Sequence, residues 1–185
     1  QDPFKKRKRT LLEHSKTVLS ALPEARRVSE HLPRHEAFAL LARRSLWGNR
    51  LDLSNEAIMR RHLHDSSRLQ DTTLLVENSE EAYDVILSSM QRPVIFIADN
   101  SGPELLADLL LAAWLLEKGV RTVVFELKCQ PFFVSDAMIE DAKGAIDYLQ
   151  TSKVTEMRDV GNQLQNALDE EHLVLRDHPA WTGPD

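Results

Sequence analysis

Asp99, Asn100, Lys128 and Asp136 are the residues whose types could do chemistry together. The stretch "IFIADNSGPE" (95–104) carries an apolar run straight into a carboxylate, a carboxamide and a hydroxyl before a helix pattern begins. A turn needs only Asn-Gly or Asp-Gly, so the additional polar groups ask for a bland explanation or a chemical one. Asp99 with the Asn100 amide oxygen supplies hard oxygen ligands suited to Mg²⁺ or Mn²⁺. The helix that follows offers free N–H groups and a partial positive charge to a phosphate, with Ser101 and Glu104 in its first turn. In "LKCQPFFVSD" (127–136), Lys128 follows a strand pattern and Asp136 opens a helix pattern. If the two strands are neighbours, both carboxylates, the amide oxygen and the lysine surround one point. That set suits metal-assisted attack on a phosphoryl group, with Lys128 neutralising phosphate charge.

Each residue also has a plainer reading. Asp99-Asn100-Ser101 serves as an N-cap and turn, Asp136 as a helix cap, and Lys128 as a solvated surface lysine. Glu104 in a first helical turn is favoured by the helix dipole alone. Asp108 interrupts the apolar stretch Leu105–Leu116 and falls on an exposed stripe if it is inert. "KKRKR" (5–9) has the charge of an import or nucleic-acid patch but lacks interleaved aromatics, and reads as a solvated helix start. His62 and His64 are too close in sequence to share one helix face, so no zinc pair is expected there. Neither a Gly-x-x-x-x-Gly-Lys loop nor a Gly-x-Gly-x-x-Gly turn occurs.

The elements that must position these groups are legible from periodicity. "RTLLEHSKTVLSAL" is an amphipathic helix, Pro23 and Pro33 punctuate, and short helices are expected near 24–31 and 35–44. A loop surrounds Gly48 and Asn49, and Ser54 or Asn55 caps a helix to about His64. "TTLLVE" then reads as a strand, "SEEAYDVILSSM" as a helix, and "PVIFIAD" as a strand buried on both faces. "GPELLADLLLAAWLLEKG" has Pro103 at its start and Gly119 at its stop. "VRTVVFEL" is the next strand, a helix opens at Ser135 or Asp136, and one more helix and a short strand follow. This alternation predicts an α/β fold with a largely parallel sheet, whose ligands sit beyond the carboxyl ends of the strands.

Composition narrows the class. The 185 residues are 42% hydrophobic and 28% charged, as in an ordinary globular protein. A net charge of −6 argues against nucleic acid as partner over the whole surface. No apolar run reaches the ~18 residues of a membrane span, and no membrane partner or secretory signal is expected. The single cysteine, Cys129, suits a reducing compartment, so a cytoplasmic location is expected, with the nucleus as an addition.

Three segments together resemble the metal-dependent damage-control phosphatases: "SLWGNRLDLS" (45–54), "DNSGPELLADLLLAAWLL" (99–116) and "KCQPFFVSD" (128–136). The segment "HPAWTGPD" resembles a later part of that family, and the match covers most of 45–185. The resemblance implies a three-layer α/β/α core (71–185) behind a helical N-terminal region (1–70) that carries the WGN loop. It implies hydrolysis of sugar phosphates, such as fructose 1-phosphate or fructose 6-phosphate, or of related metabolites. The cofactor would be a divalent ion, Mn²⁺, Co²⁺, Ni²⁺ or Mg²⁺, held by Asp99, Asn100 and Asp136. Asn49 and Arg50 would meet the substrate, Ser101 and Glu104 would line the pocket, and Lys128 would meet the phosphate.

One departure stands out. The family continues into a further strand with a Gly-Asp-Leu-Asn-Tyr-Arg-Lys-like run, which does not occur here, so a C-terminal segment or self-association is expected to complete the fold. Two other classes compete with a phosphatase. One is a binding module for a metal or phospho-ligand without turnover. The other is S-adenosylmethionine-dependent carboxyl methyl transfer, suggested only by the family's second name.

Overall fold

A computed structural model describes residues 2–14, 16–48 and 76–181. Three α-helices come first: α1 (Lys5–His14), α2 (Lys16–His31) and α3 (Arg34–Trp47). α4 (Ser79–Ser88) leads to β1 (Val94–Ile97), α5 (Pro103–Glu117) and β2 (Val123–Leu127). α6 (Ile139–Gln150), α7 (Thr155–Asp169) and β3 (Leu173–Asp177) follow, and a 3-10 turn spans Pro179–Trp181. This is the expected α/β fold with a helical N-terminal region.

The strands lie side by side in the order β1-β2-β3, all parallel, with Val94 opposite Val123 and Val123 opposite Leu173. Right-handed crossovers between strands added in one direction put the connecting helices on the same face. Val94, Phe96, Val123, Phe125, Leu127, Leu173 and Leu175 share that face and join the core. Their neighbours along each strand point the other way. Ile95 and Ile97 are therefore 51% and 64% exposed. "PVIFIAD" was expected to be buried on both faces; its strand is buried on one. Among the described residues β1 is an edge strand whose outward Ile95 and Ile97 stay exposed, whereas Val124 and Glu126 on the same face of central β2 are buried.

α5 explains how the helices stack. From Leu105 to Leu115 every residue is buried, Asp108 included. A helix apolar all round must be covered all round. The sheet lies on one side, through β2, while α2 and α3 pack on the other. Phe38 of α3, Tyr83 of α4 and Trp114 of α5 close this second helical layer, with ring centroids 5.6 to 6.4 Å apart. Each large side chain removed from water there contributes about 1.5–3 kcal/mol.

Several local expectations are corrected. Pro23 lies inside α2 rather than punctuating it. An internal proline costs about 3 kcal/mol, and α2 keeps its course because Leu22 and Ala25 are seated in the core. The helix expected from Ser135 or Asp136 begins at Ile139, with Met138 at its N-cap and the Asp141 carboxylate accepting the Met138 N–H at 3.0 Å. The expected helix from Ser54 or Asn55 lies outside the described residues, as does most of "TTLLVE"; Val76 and Glu77 at its end are irregular. No helix among the described residues is long and apolar enough to cross a membrane.

Candidate functional site

β1 and β2 are parallel neighbours, so their carboxyl ends deliver Asp99-Asn100 and Lys128 to one edge. The loop after β2 then folds back over the end of β1. The Ser101 N–H donates to Ser135 O at 2.7 Å, Ala137 N–H to Asp99 O at 2.9 Å, and Lys128 N–H to Ala137 O at 2.9 Å. Asn100 and Asp136 face each other in an isolated antiparallel bridge. The condition set by the sequence, that these strands be adjacent, is met.

Asp136 is 2% exposed. Its Oδ2 accepts the N–H groups of Phe132 and Phe133, both at 2.7 Å, and its Oδ1 accepts Lys128 Nζ at 3.0 Å. It is therefore not the helix cap of the plainer reading. Lys128 is not a solvated surface lysine either. Its side chain is 15% exposed, and its ammonium donates to Asp99 Oδ1 as well as Asp136 Oδ1. Burial alone would lower the Lys128 pKa; the hydrogen bonds and charges of Asp99 and Asp136 outweigh it and raise it.

The start of α5 forms the other wall. Gly102 takes φ 85° and ψ −133°, a conformation closed to side-chain-bearing residues, and Pro103 then begins the helix. Asn100 Nδ2 donates to Asp99 Oδ2 at 3.0 Å and to Glu104 Oε2 at 2.9 Å. Both amide hydrogens are committed to carboxylates, which fixes the rotation of the amide. Burial raises the Glu104 pKa, and the Asn100 hydrogen bond only partly offsets it. Ser101 is 5% exposed, and its Oγ is buried with no hydrogen-bond partner. A buried hydroxyl left unpaired beside a helix N-terminus is a cost that a bound oxygen would relieve.

α3 ends against the same helix. A Cβ on Gly48 would lie 2.4 Å from Glu104 Cα, so only glycine allows this approach. One turn further along α5, Asp108 is 7% exposed and accepts Ser45 Oγ at 2.5 Å. Burial lifts its carboxyl to a pKa of about 7. The exposed stripe expected for Asp108 is thus an internal helix–helix contact. Asn49 and Arg50 lie outside the described residues, so their expected meeting with the substrate has no geometry here.

The donor set fits a hard divalent cation in kind: two carboxylates and one amide oxygen. Asp99 and Asp136 already converge on one positive charge, the Lys128 ammonium. Among the described residues no group of three His, Cys, Asp or Glu side chains is arranged to hold a metal. The candidate set contains two acids with Asn100 as the third ligand, and Glu104 is tied to Asn100.

The comparisons with known proteins bear on the whole chain. Residues 1–185 match the model of the damage-control phosphatase ARMT1-like domain. The chain belongs to this family. It is 31% identical over 188 residues to damage-control phosphatase ARMT1 of Xenopus laevis, covering 95% of this chain and 41% of that protein. The Danio rerio protein of the same name is 32% identical over 162 residues, 80% of this chain and 36% of the relative. The human one is 30% identical over 170 residues, 85% and 38%. The chain thus spans about two fifths of the length of these relatives.

Two groups escaped the sequence reading. Lys8, inside "KKRKR", is 3% exposed rather than solvated. The available signal was its spacing: Lys8 and Leu12 are one turn apart, on the face that packs inward. The Ser45–Asp108 pair had no local signal, because its members come from different helices.

Proposed function

We propose that the chain carries a metal-dependent phosphatase site for a small phosphorylated metabolite, with sugar phosphates such as fructose 1-phosphate and fructose 6-phosphate as first candidates. The observation that supports it most is the convergence of Asp99 and Asp136 on one cation, beside an unpaired buried hydroxyl at a helix N-terminus. Asp99, Asn100 and Asp136 would hold a divalent ion, Mn²⁺, Co²⁺, Ni²⁺ or Mg²⁺. When bound, it supplies Lewis-acid polarisation of the phosphoryl group.

The residues divide the remaining work. The first-turn N–H groups of α5 lack partners within the helix and suit phosphoryl oxygens. The Ser101 hydroxyl adds a donor there, and Lys128 balances the charge that grows on the phosphoryl group. Glu104, its pKa raised by burial, is the residue we assign as general acid to the leaving oxygen. The in-line attack comes from water or from the Asp99 carboxylate, which is 59% exposed and within reach of a substrate. Asn49 and Arg50 are proposed to bind the non-phosphate part of the substrate.

The test is phosphate release by this chain with and without divalent ions, in wild type and Asp99→Ala. A second reading has one observation in its favour: the chain spans only about two fifths of its relatives. It would then bind metal and phospho-ligand without turnover, which calorimetry with zero phosphate release would show.

A further inference from the structure

Lys8 reaches from α1 to the segment that leads into α6, far from it in sequence. Its Nζ donates to the backbone oxygen of Asp136 at 2.6 Å and to Asp141 Oδ2 at 2.7 Å, and pairs with Asp2 Oδ2 at 2.8 Å. An ammonium has three donors, and each has an acceptor. The side chain is 2% exposed, while the Asp2 and Asp141 side chains are 11% and 13% exposed. Asp141 Oδ2 also accepts the Met138 N–H, so one carboxylate links Lys8 to the start of α6.

These contacts surround the Asp136 peptide from behind. Its carbonyl is held by Lys8, while its side chain faces Lys128 and the Phe132–Phe133 amides. The next residue ties the same peptide to Asp99 through Ala137 N–H. Burying an ammonium with two carboxylates is a poor way to gain stability, since apolar side chains of similar volume often serve as well. What the ammonium does that an apolar side chain cannot is fix the direction of the Asp136 carbonyl. The peptide plane is rigid, so fixing the carbonyl and the Ala137 N–H fixes the position of the Asp136 Cα from which the side chain departs.

We propose that Lys8 is a positioning residue for the candidate site, holding the Asp136 peptide so that its carboxylate meets Asp99 and the cation between them. The inference rests on the phosphatase reading and adds to it a residue of the N-terminal helices. The α1 contact thereby makes the helical region part of the site's support. Groups that orient a metal ligand from outside typically change metal affinity or activity about 10- to 100-fold when removed.

The experiment compares wild type, Lys8→Met and Arg26→Met. Arg26 pairs with Glu117 between α2 and α5 at 2.5 Å, so its variant loses a helix–helix ion pair remote from Asp136. Two readouts are taken: the Mn²⁺ dissociation constant by calorimetry, and amide hydrogen exchange over 135–141 without metal. Expected for Lys8→Met is Mn²⁺ binding weakened about 10-fold or more, with faster exchange at Ala137 and Met138. Arg26→Met should keep both at wild-type values even where its melting temperature falls equally. A Lys8→Met chain with unchanged exchange and a Mn²⁺ constant equal to wild type overturns the proposal. A wild-type chain that binds no divalent ion would instead remove the phosphatase reading, and the metal-free exchange rates would still decide whether Lys8 holds the Asp136 peptide.

Discussion

Asn100 and Asp136 face each other across an antiparallel bridge, although one lies just after β1 and the other in the loop after β2. Neither is free to move without the other, because Ser101 N–H and Ala137 N–H stitch the two segments on either side. A carboxylate beside a carboxamide is thus a product of backbone pairing rather than of chance side-chain positions. Mutual rigidity of this kind is what a preorganised ligand set requires.

Lys128 tests whether the site is built around a cation. Lys128→Met leaves Asp136, 3% exposed at its side chain, without its ammonium partner. The exposed Asp99 softens the loss, so about 1–3 kcal/mol is expected, read as a melting temperature lower by several degrees. Added Mn²⁺ should close most of that gap by replacing the lost charge. A gap that Mn²⁺ leaves untouched would contradict a cation site here.

Asp108 gives a pH dependence whose sign is fixed. Its folded pKa of about 7 lies above the ordinary 3.8, so the fold favours the protonated carboxyl. That contribution is complete below about pH 4 and is lost as pH rises through 7, by at most about 4 kcal/mol. The wild-type melting temperature should therefore fall from pH 5 to 8, and Asp108→Asn should flatten the fall and be the more stable protein at pH 8. Parallel curves for the two would refute the assignment.

Gly48→Ala tests the close approach of Gly48, at the end of α3, to α5. The new Cβ would lie 2.4 Å from Glu104 Cα, which is backbone and must shift. A destabilisation of about 1–3 kcal/mol is expected, together with weaker phosphate release because Glu104 lies in the first turn of the helix that lines the site. Thermal unfolding and the activity assay check it; wild-type values in both would show that α3 yields instead.

How much of this was legible in the sequence differs from residue to residue. Strand–helix alternation predicted a parallel sheet, and parallel adjacency of β1 and β2 brings Asp99 and Lys128 together, while Asp136 arrives through the fold-back of the loop after β2. The Pro103 start of α5 was readable because proline at a first helical position is a local signal. Exposure of Ile95 and Ile97 was not, since it depends on which face the helices occupy. Pro23 shows core packing overriding local propensity. Lys8 and Asp136 are 128 residues apart, and no window of sequence contains both ends of their bond.

The measurement that tests the central claim most directly is phosphate release by the purified 185-residue chain from fructose 1-phosphate, fructose 6-phosphate and p-nitrophenyl phosphate. It is run in EDTA and then with Mn²⁺, Co²⁺, Ni²⁺ or Mg²⁺, for wild type and Asp99→Ala. The account predicts release that needs a divalent ion and falls at least about 100-fold in Asp99→Ala, with the fold of the variant intact. Metal-dependent release that persists undiminished in Asp99→Ala would contradict it.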